Sequence, residues 1–298
     1  LSLSYFRPWG DESRGLEWGF VFLGMLAQDL DGKPGEGEWH PFRELADTYD
    51  DSAAGWLYLA FVEVSSGGLL DVLRVGRQEL LDLEPVAFDG GLVTVRFNRR
   101  LSVTGYGGAP VNLYESDRDG DSVIGAHVEY WPLRNLALTI GYLGLRDKVK
   151  FLDETETTLH GDLALFKAYC LVRRGLSVLA YATMLDGEFR DAMARGAIYN
   201  YEHDYSISIY YKIQFIKREA EPLADDPFSI ILGPYQPYQM GGFTAYKGIG
   251  KRFGLEAGAL FRELLDSGDE SAFNHSYQRY MASVYIYKFP FKKSEWVI

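Results

Sequence analysis

Residues 72–108 read VLRVGRQELLDLEPVAFDGGLVTVRFNRRLSVTGYGG, and apolar and polar side chains alternate along much of this stretch. In LVTVRF, for example, Val93 and Val95 fall on one side while Thr94 and Arg96 fall on the other. Successive side chains of a β-strand point to opposite faces, so a period of two is typical of a strand with one apolar face. The stretch therefore predicts a strand, a loop, a second strand, a tight turn and a third strand.

The same alternation recurs along the rest of the chain. Many of the alternating runs extend for about 10–13 residues, whereas strands of soluble proteins usually have about five or six. A tilted strand needs roughly that greater length to cross a bilayer. Counting the runs predicts about fifteen strands, with a sixteenth starting at EWVI. Their expected spans are roughly 1–9, 16–28, 54–65, 69–78, 90–98, 100–108, 122–131, 135–145, 158–172, 175–186, 188–201, 204–216, 239–251, 254–265 and 275–289.

The predicted connections alternate between short and long. Short ones lie at 98–100, 132–135, 173–175 and 252–254. Long polar ones lie at 29–53, 109–121, 146–157, 217–238 and 266–274. Tight turns at one rim and long loops at the other are typical of outer-membrane β-barrels. Short helical turns are predicted only within 40–49 and 261–268.

Aromatic residues make up 15% of the chain, and several fall near predicted strand ends. Examples are Trp18, Tyr130, Trp131, Tyr285 and Tyr287. Aromatic belts at the two membrane–water interfaces would produce this distribution. The alternative is that aromatic side chains simply favour strands.

Composition excludes several other classes of protein. A net charge of -12 and a pI near 4.9 argue against general nucleic-acid binding, which needs a basic surface. The single cysteine, Cys170, excludes an internal disulfide framework and a cysteine-built zinc site. The most apolar run, residues 18–28, is far shorter than the roughly 20 residues that a membrane-spanning helix requires.

The motif LRVGRQ (73–78) followed by FDGGLVTVRF (88–97) resembles a recurrent element of porin and alginate-export-like barrels. With the strand lengths and the asymmetric connections, the chain resembles a bacterial outer-membrane porin-type β-barrel. The resemblance implies an all-β fold, a transmembrane antiparallel up-and-down barrel of about 14–16 strands. We expect one domain over 1–298 in the bacterial outer membrane. One difference is the ending SEWVI, where such barrels usually have a terminal aromatic residue.

The charges within the strands have a direct explanation in such a barrel. If the apolar faces meet lipid, the opposite faces line the lumen, since an arginine facing lipid near the midplane costs about 2–4 kcal/mol. The strand phase then predicts the following pore-lining residues: Arg74, Arg96, His127, Glu129, Lys212, Glu256 and Arg262. A lumen that carries both signs of charge can set ion selectivity. The alternative is that these charges pair and merely satisfy a polar interior.

The other arginines of residues 72–108 are explained differently. Arg77 is in phase with the apolar residues but lies at a strand end, where its aliphatic stem can reach the interface. Arg99 and Arg100 belong to the predicted tight turn.

We expect a porin-like channel that passes small polar or anionic solutes, and no enzyme. The alternative is a barrel that encloses a partner protein, such as the porin subunit of a porin–cytochrome electron conduit. The chain itself has no C-x-x-C-H motif for haem. A soluble all-β binding protein is a third interpretation. Expected partners are membrane lipid and lipopolysaccharide, small polar solutes, and a homo-oligomeric, periplasmic or extracellular protein partner, but no nucleic acid.

Motifs that suggest chemistry are incomplete. Asp117, Asp119 and Asp121 fit the first positions of a calcium-binding loop, but Ser122 and Val128 stand where glycine and glutamate are needed. The histidines have no metal-ligand spacing, and no G-x-S-x-G motif is present. A Ser/His site formed by distant residues stays open as an alternative. We expect no cofactor and no metal.

Overall fold

The computed structural model describes residues 2–8, 15–28, 53–80, 86–111, 120–150, 156–217, 236–266, 268, 274–287 and 295–297. These residues form sixteen strands. The strands are β1 (Ser2–Pro8), β2 (Glu17–Gln28), β3 (Ala53–Ser65), β4 (Leu70–Leu80), β5 (Val86–Asn98), β6 (Leu101–Pro110), β7 (Ser122–Leu133), β8 (Leu136–Lys150), β9 (Glu156–Arg173), β10 (Leu176–Leu185), β11 (Glu188–Asn200), β12 (Tyr205–Gln214), β13 (Tyr238–Ile249), β14 (Phe253–Leu264), β15 (Tyr277–Tyr287) and β16 (Glu295–Val297).

All sixteen strands belong to one sheet, in the order β1 to β16. Each strand pairs antiparallel with its neighbours in sequence, and β1 and β16 are the two edge strands. The predicted all-β, up-and-down architecture and the predicted strand number are thus confirmed. Within the described ranges, no helix has the length and apolar character needed to span a bilayer.

Two strands exceed their predicted lengths most, by four residues each. β5 begins at Val86 because Val86 and Phe88 pair with the end of β4. β8 extends to Lys150 because its whole length pairs with the 18 residues of β9. The helical turn predicted in 261–268 is wrong for 261–264, which pair as part of β14, and 40–49 lies outside the described residues.

The connections define two rims. The turn rim holds the short connections 66–69, 99–100, 134–135, 174–175, 201–204 and 250–252. The opposite ends of the strands form the loop rim, where the predicted long connections lie. One connection at the loop rim is also tight, because Asp186 and Gly187 both adopt positive φ angles, of 53° and 85°. Two consecutive residues with positive φ are the geometry of a two-residue hairpin turn.

The pairing register assigns side chains to two faces, because residues opposite each other in an antiparallel pair lie on the same face. We call the inner face the one that carries the continuous ladder Leu92, Tyr106, Gly125, Leu143 and Leu163. Among the residues that the structure describes, the buried hydrophobic ones all lie on this face except Ala259.

The outer face is apolar and exposed. Ile124, for example, is 62% exposed, and Val128, four residues further along β7, lies on the same face and is also exposed. Other exposed apolar side chains on this face are Val62, Val75, Val93, Ile140, Phe166, Ile209, Phe243 and Leu255. A soluble protein would bury such a continuous apolar surface, whereas lipid stabilises it. Of the aromatic residues near strand ends, Trp18 and Tyr130 lie on the outer face, while Trp131, Tyr285 and Tyr287 lie on the inner face.

The inner face also holds a buried apolar cluster towards the loop rim. Its members are Leu80, Val86, Phe88, Leu92, Tyr106, Val123, Leu143, Leu145, Leu163 and Leu185. Val72 and Ile216 pack against it. The alternation of apolar and polar residues does not predict this cluster, because both faces of β8 are apolar at Tyr142 and Leu143.

Four neighbouring strands approach so closely that only glycine fits between their backbones at three positions. A Cβ atom at Gly90 would lie 2.1 Å from the carbonyl oxygen of Gly107, and one at Gly108 would lie 2.2 Å from that of Asp89. At Gly76, where φ is +127°, a Cβ atom would lie 2.2 Å from the carbonyl oxygen of Ala60. These glycines are therefore required by the packing of β3 to β6.

Candidate functional site

The structure places all of the predicted pore-lining residues on the inner face. They are Arg74, Arg96, His127, Glu129, Lys212, Glu256 and Arg262. Their face is the one opposite the exposed apolar side chains. Their role in lining a pore stays a prediction, but their common orientation is a property of the register.

Four of these residues lie on one continuous row of cross-strand partners. We call this the charge row: Arg96, Ser102, Glu129, Thr139, Lys167, Tyr181, Met193, Lys212, Met240 and Arg262. Arg96 is near the turn-rim end of β5, whereas Arg262 is near the loop-rim end of β14. Because the row crosses successive strands at right angles while the strands are staggered, it climbs from one rim to the other.

Two arginines of the inner face are held by carboxylates. Arg74 donates to Glu63 on β3, with 2.6 Å between Nη2 and Oε2, and its guanidinium lies 4.4 Å from the centre of the Phe61 ring. Arg96 Nη2 donates to Asp71 Oδ2 at 2.6 Å. Both pairs are cross-strand contacts that depend on the register.

Arg77 forms its ion pair on the outer face. Its Nε and Nη2 donate to the two carboxylate oxygens of Asp89 at 2.8 and 2.7 Å, and its Nη1 donates to the carbonyl oxygen of Leu57 at 2.9 Å. Arg77 is three residues from the loop-rim end of β4. Arg77 therefore shares the apolar face, as its phase predicts. The structure in addition identifies Asp89 as its ion-pair partner.

Lys212 belongs to a buried polar cluster that the sequence analysis missed. Its Nζ lies 2.9 Å from Asp191 Oδ2, and the Asp191 side chain is only 4% exposed. Arg190 Nε lies 3.6 Å from Asp191 Oδ1 and donates to Thr183 Oγ1 at 3.1 Å, while Thr183 donates to Asp191. A register shift after Thr183 brings adjacent Arg190 and Asp191 into the same cluster. Strict alternation would have placed them on opposite faces.

The remaining predicted residues contact neutral groups. Arg262 stacks on Tyr238 at 4.4 Å and donates to Asn274 Oδ1 at 2.6 Å. Glu256 accepts a hydrogen bond of 2.5 Å from the Tyr285 hydroxyl, and Glu129 accepts one from the Trp131 indole. His127 lies between Thr104 and Gly141 in its ladder.

Three further cations share the inner face, namely Lys167, Arg195 and Arg279. Arg195 Nε donates to Ser208 Oγ at 2.9 Å. Within the described part of the chain, none of the three has a carboxylate at ion-pair distance. The same alternation that identified Lys212 would have identified these residues.

The described residues contain no group of three or more His, Cys, Asp or Glu residues that could hold a metal ion. Of the acidic motif, Asp117 and Asp119 lie outside the described residues, as does His40. Asp121 Oδ1 accepts a hydrogen bond from the backbone N–H of Lys148 at 2.8 Å.

Comparison with known proteins gives a clear result for the fold. No family model matches the sequence, and no curated protein matches it. Among solved structures, Pseudomonas aeruginosa OccK9 (OpdG) is 15% identical, with a TM-score of 0.53 over 95% of this chain and 80% of that one. The anion-selective porin from Comamonas acidovorans is 10% identical, with a TM-score of 0.53 over 96% and 86% of the two chains.

A third similar structure is DcaP, an outer membrane channel of Acinetobacter baumannii. It is 12% identical, with a TM-score of 0.53 over 96% of this chain and 84% of that one. At such low identities the similarity concerns architecture. The chain has the porin-type β-barrel fold that these structures share.

Proposed function

We propose that this chain is a channel of the bacterial outer membrane that passes small polar or anionic solutes. The observation that carries the proposal is the charge row, which climbs the inner face from the turn rim to the loop rim while the outer face is apolar. A solute that crosses along such a row meets charged or polar groups at most levels, in place of the hydration that it leaves behind.

The membrane location is supported by the outer face. Exposed aliphatic or aromatic side chains are present on every strand from β3 to β15 except β6. The backbone groups of these strands are satisfied by their neighbours, which is a condition for crossing lipid. Strands of 10–18 residues from β2 to β15 have the length for a tilted crossing.

The preference for anions is supported by the wall formed by β9 to β15. Its inner face carries Lys167, Arg195, Lys212, Arg262 and Arg279. The carboxylates on the same described wall are Asp191, Glu256 and, at a strand end, Glu188. This excess of positive charge favours anions along the wall.

The first test is ion selectivity in a planar bilayer under a KCl gradient. We expect a reversal potential that indicates preference for chloride. Removal of one wall charge by Arg195→Ser is expected to lower the chloride-to-potassium permeability ratio about two- to fourfold. A unit charge about 10 Å from the ion path contributes about 0.4 kcal/mol at the dielectric constant of water, in opposite directions for the two ions.

The matched control is Arg146→Ser. Arg146 is exposed on the outer face, and its substitution removes the same charge from the chain. We expect it to leave the reversal potential unchanged. Equal shifts for the two variants, or a wild-type protein that inserts without conducting, would contradict the proposal.

A further inference from the structure

The tight turns of the turn rim are rich in basic residues. Seven basic residues lie in or beside four of these turns: Arg99, Arg100, Arg134, Arg173, Arg174, Lys251 and Arg252. All of them are exposed. In a chain whose net charge is -12, this rim is a local concentration of positive charge.

One of these turns borders a cavity. The turn between β5 and β6 faces a space of about 260 Å³, lined by Arg96, Arg99, Arg100, Ser102, Glu129 and Trp131 among others. The cavity therefore combines three guanidinium groups with an indole ring. Its volume lies just below that of common ligand pockets, which begin at about 300 Å³, so it suits a small molecule or ion.

The backbone around the cavity is held in place on both sides. The Asn98 side chain accepts a hydrogen bond of 2.7 Å from the N–H of Arg100. The carbonyl oxygen of Arg100 accepts one of 2.7 Å from the N–H of Trp131, which fixes the turn against β7. The Trp131 indole is oriented by its hydrogen bond to Glu129. The backbone that carries the two arginines therefore needs little ordering when a ligand binds.

Two of the three arginines form no ion pair within the described residues, and the lining carboxylate Glu129 accepts the indole hydrogen bond of Trp131. Arg96 is paired with Asp71. Arg99 and Arg100 have no carboxylate at ion-pair distance among the residues that the structure describes. Arginine presents a planar fork of N–H donors that matches the two oxygens of a carboxylate or phosphate group.

We propose that this cavity is a binding site for a small oxyanion, with Arg99 and Arg100 as its charged ligands. Both inorganic phosphate and the carboxylates of a small organic acid present negatively charged oxygens that can accept hydrogen bonds from these arginines. The site lies at the turn-rim end of the charge row, beside Arg96. Binding at this site does not require conduction. The inference rests on the proposed function only where it describes the site as lying at one mouth of a channel.

The test is titration calorimetry of the detergent-solubilised full chain with inorganic phosphate and, separately, with succinate. We expect the wild-type protein to bind at least one of the two probes. The double variant R99S/R100S is expected to bind it at least tenfold more weakly, since the loss of even one charge-assisted hydrogen bond weakens binding by about tenfold. The probe that binds more tightly distinguishes the inorganic from the organic source.

The matched control is R173S/R174S, which removes the same charge from another turn of the same rim. Retained affinity in this control, with weakened binding in R99S/R100S, supports a defined site. Equal weakening in both variants would mean a diffuse effect of rim charge and would overturn the proposal. The absence of binding by the wild type would overturn it as well.

Conductance in KCl, measured on the same preparations, separates this proposal from the channel function. A protein that binds the probe through Arg99 and Arg100 but does not conduct would refute the channel and leave the site in place. A conducting protein that binds neither probe would refute the site alone.

Discussion

Substitution of Gly90 by valine is expected to prevent stable assembly of the sheet. The new Cβ atom would lie 2.1 Å from the carbonyl oxygen of Gly107 and 2.7 Å from the Cα of Gly108. Both are backbone atoms of β6, so no side-chain rotation relieves the overlap, and β5 and β6 would have to separate. We expect a loss of about 3 kcal/mol or more, at the upper end of overpacking effects. Refolding yield in detergent, followed by heat-modifiable gel mobility, measures the outcome.

The matched control for this substitution is Gly105→Val on β6. Gly105 is a strand glycine of the same region, but an added Cβ atom would meet nothing within 4 Å. Valine is favoured in strands, so we expect the control to refold as well as the wild type. If the Gly90 and Gly105 variants refolded with the same yield, the close approach of β5 and β6 would not constrain the fold.

Replacement of Asp89 by leucine is the second change with a large expected effect. It leaves the Arg77 guanidinium without its carboxylate on the face that meets lipid, with only the Leu57 carbonyl of its present contacts. An uncompensated arginine facing lipid costs about 2–4 kcal/mol at depth and less near the rim, so we expect a loss of about 2 kcal/mol. Urea titration of the protein refolded in lipid vesicles measures the free energy of unfolding.

The double variant R77M/D89L is the control for the second prediction. Methionine and leucine remove both charges and restore an apolar surface, so the double variant is expected to be more stable than D89L alone. A double variant that loses as much as the sum of the two single variants would show that the ion pair itself is unimportant.

The sequence was sufficient to predict which face most strand side chains occupy. Arg74, Lys212 and Glu256 were assigned correctly to the face opposite the apolar residues because alternation is a local property with a period of two. The number of strands and the alternation of turns and loops follow from the same pattern. The outer location of Arg77 also follows from phase alone.

The partners of these residues could not be predicted in the same way. The pair of Arg74 and Glu63 depends on the register between β3 and β4, and a shift of two residues would preserve both faces while separating the charges. The cluster of Arg190 and Asp191 depends on a bulge, which interrupts the alternation. The close approach at Gly90 depends on the register between β5 and β6, which places Gly90 opposite Gly108 and Gly91 opposite Gly107.

The distribution of burial on the inner face has a consequence for ion flow. The buried apolar cluster lies towards the loop rim, whereas Arg96 and Arg195, nearer the turn rim, are exposed. In the proposed channel, this distribution would make the passage narrower at the loop rim than at the turn rim, and a tapered, positively charged passage behaves as an ionic rectifier. Anions accumulate in the taper at one polarity and are depleted at the other, so we expect an asymmetric current–voltage curve even in symmetric salt.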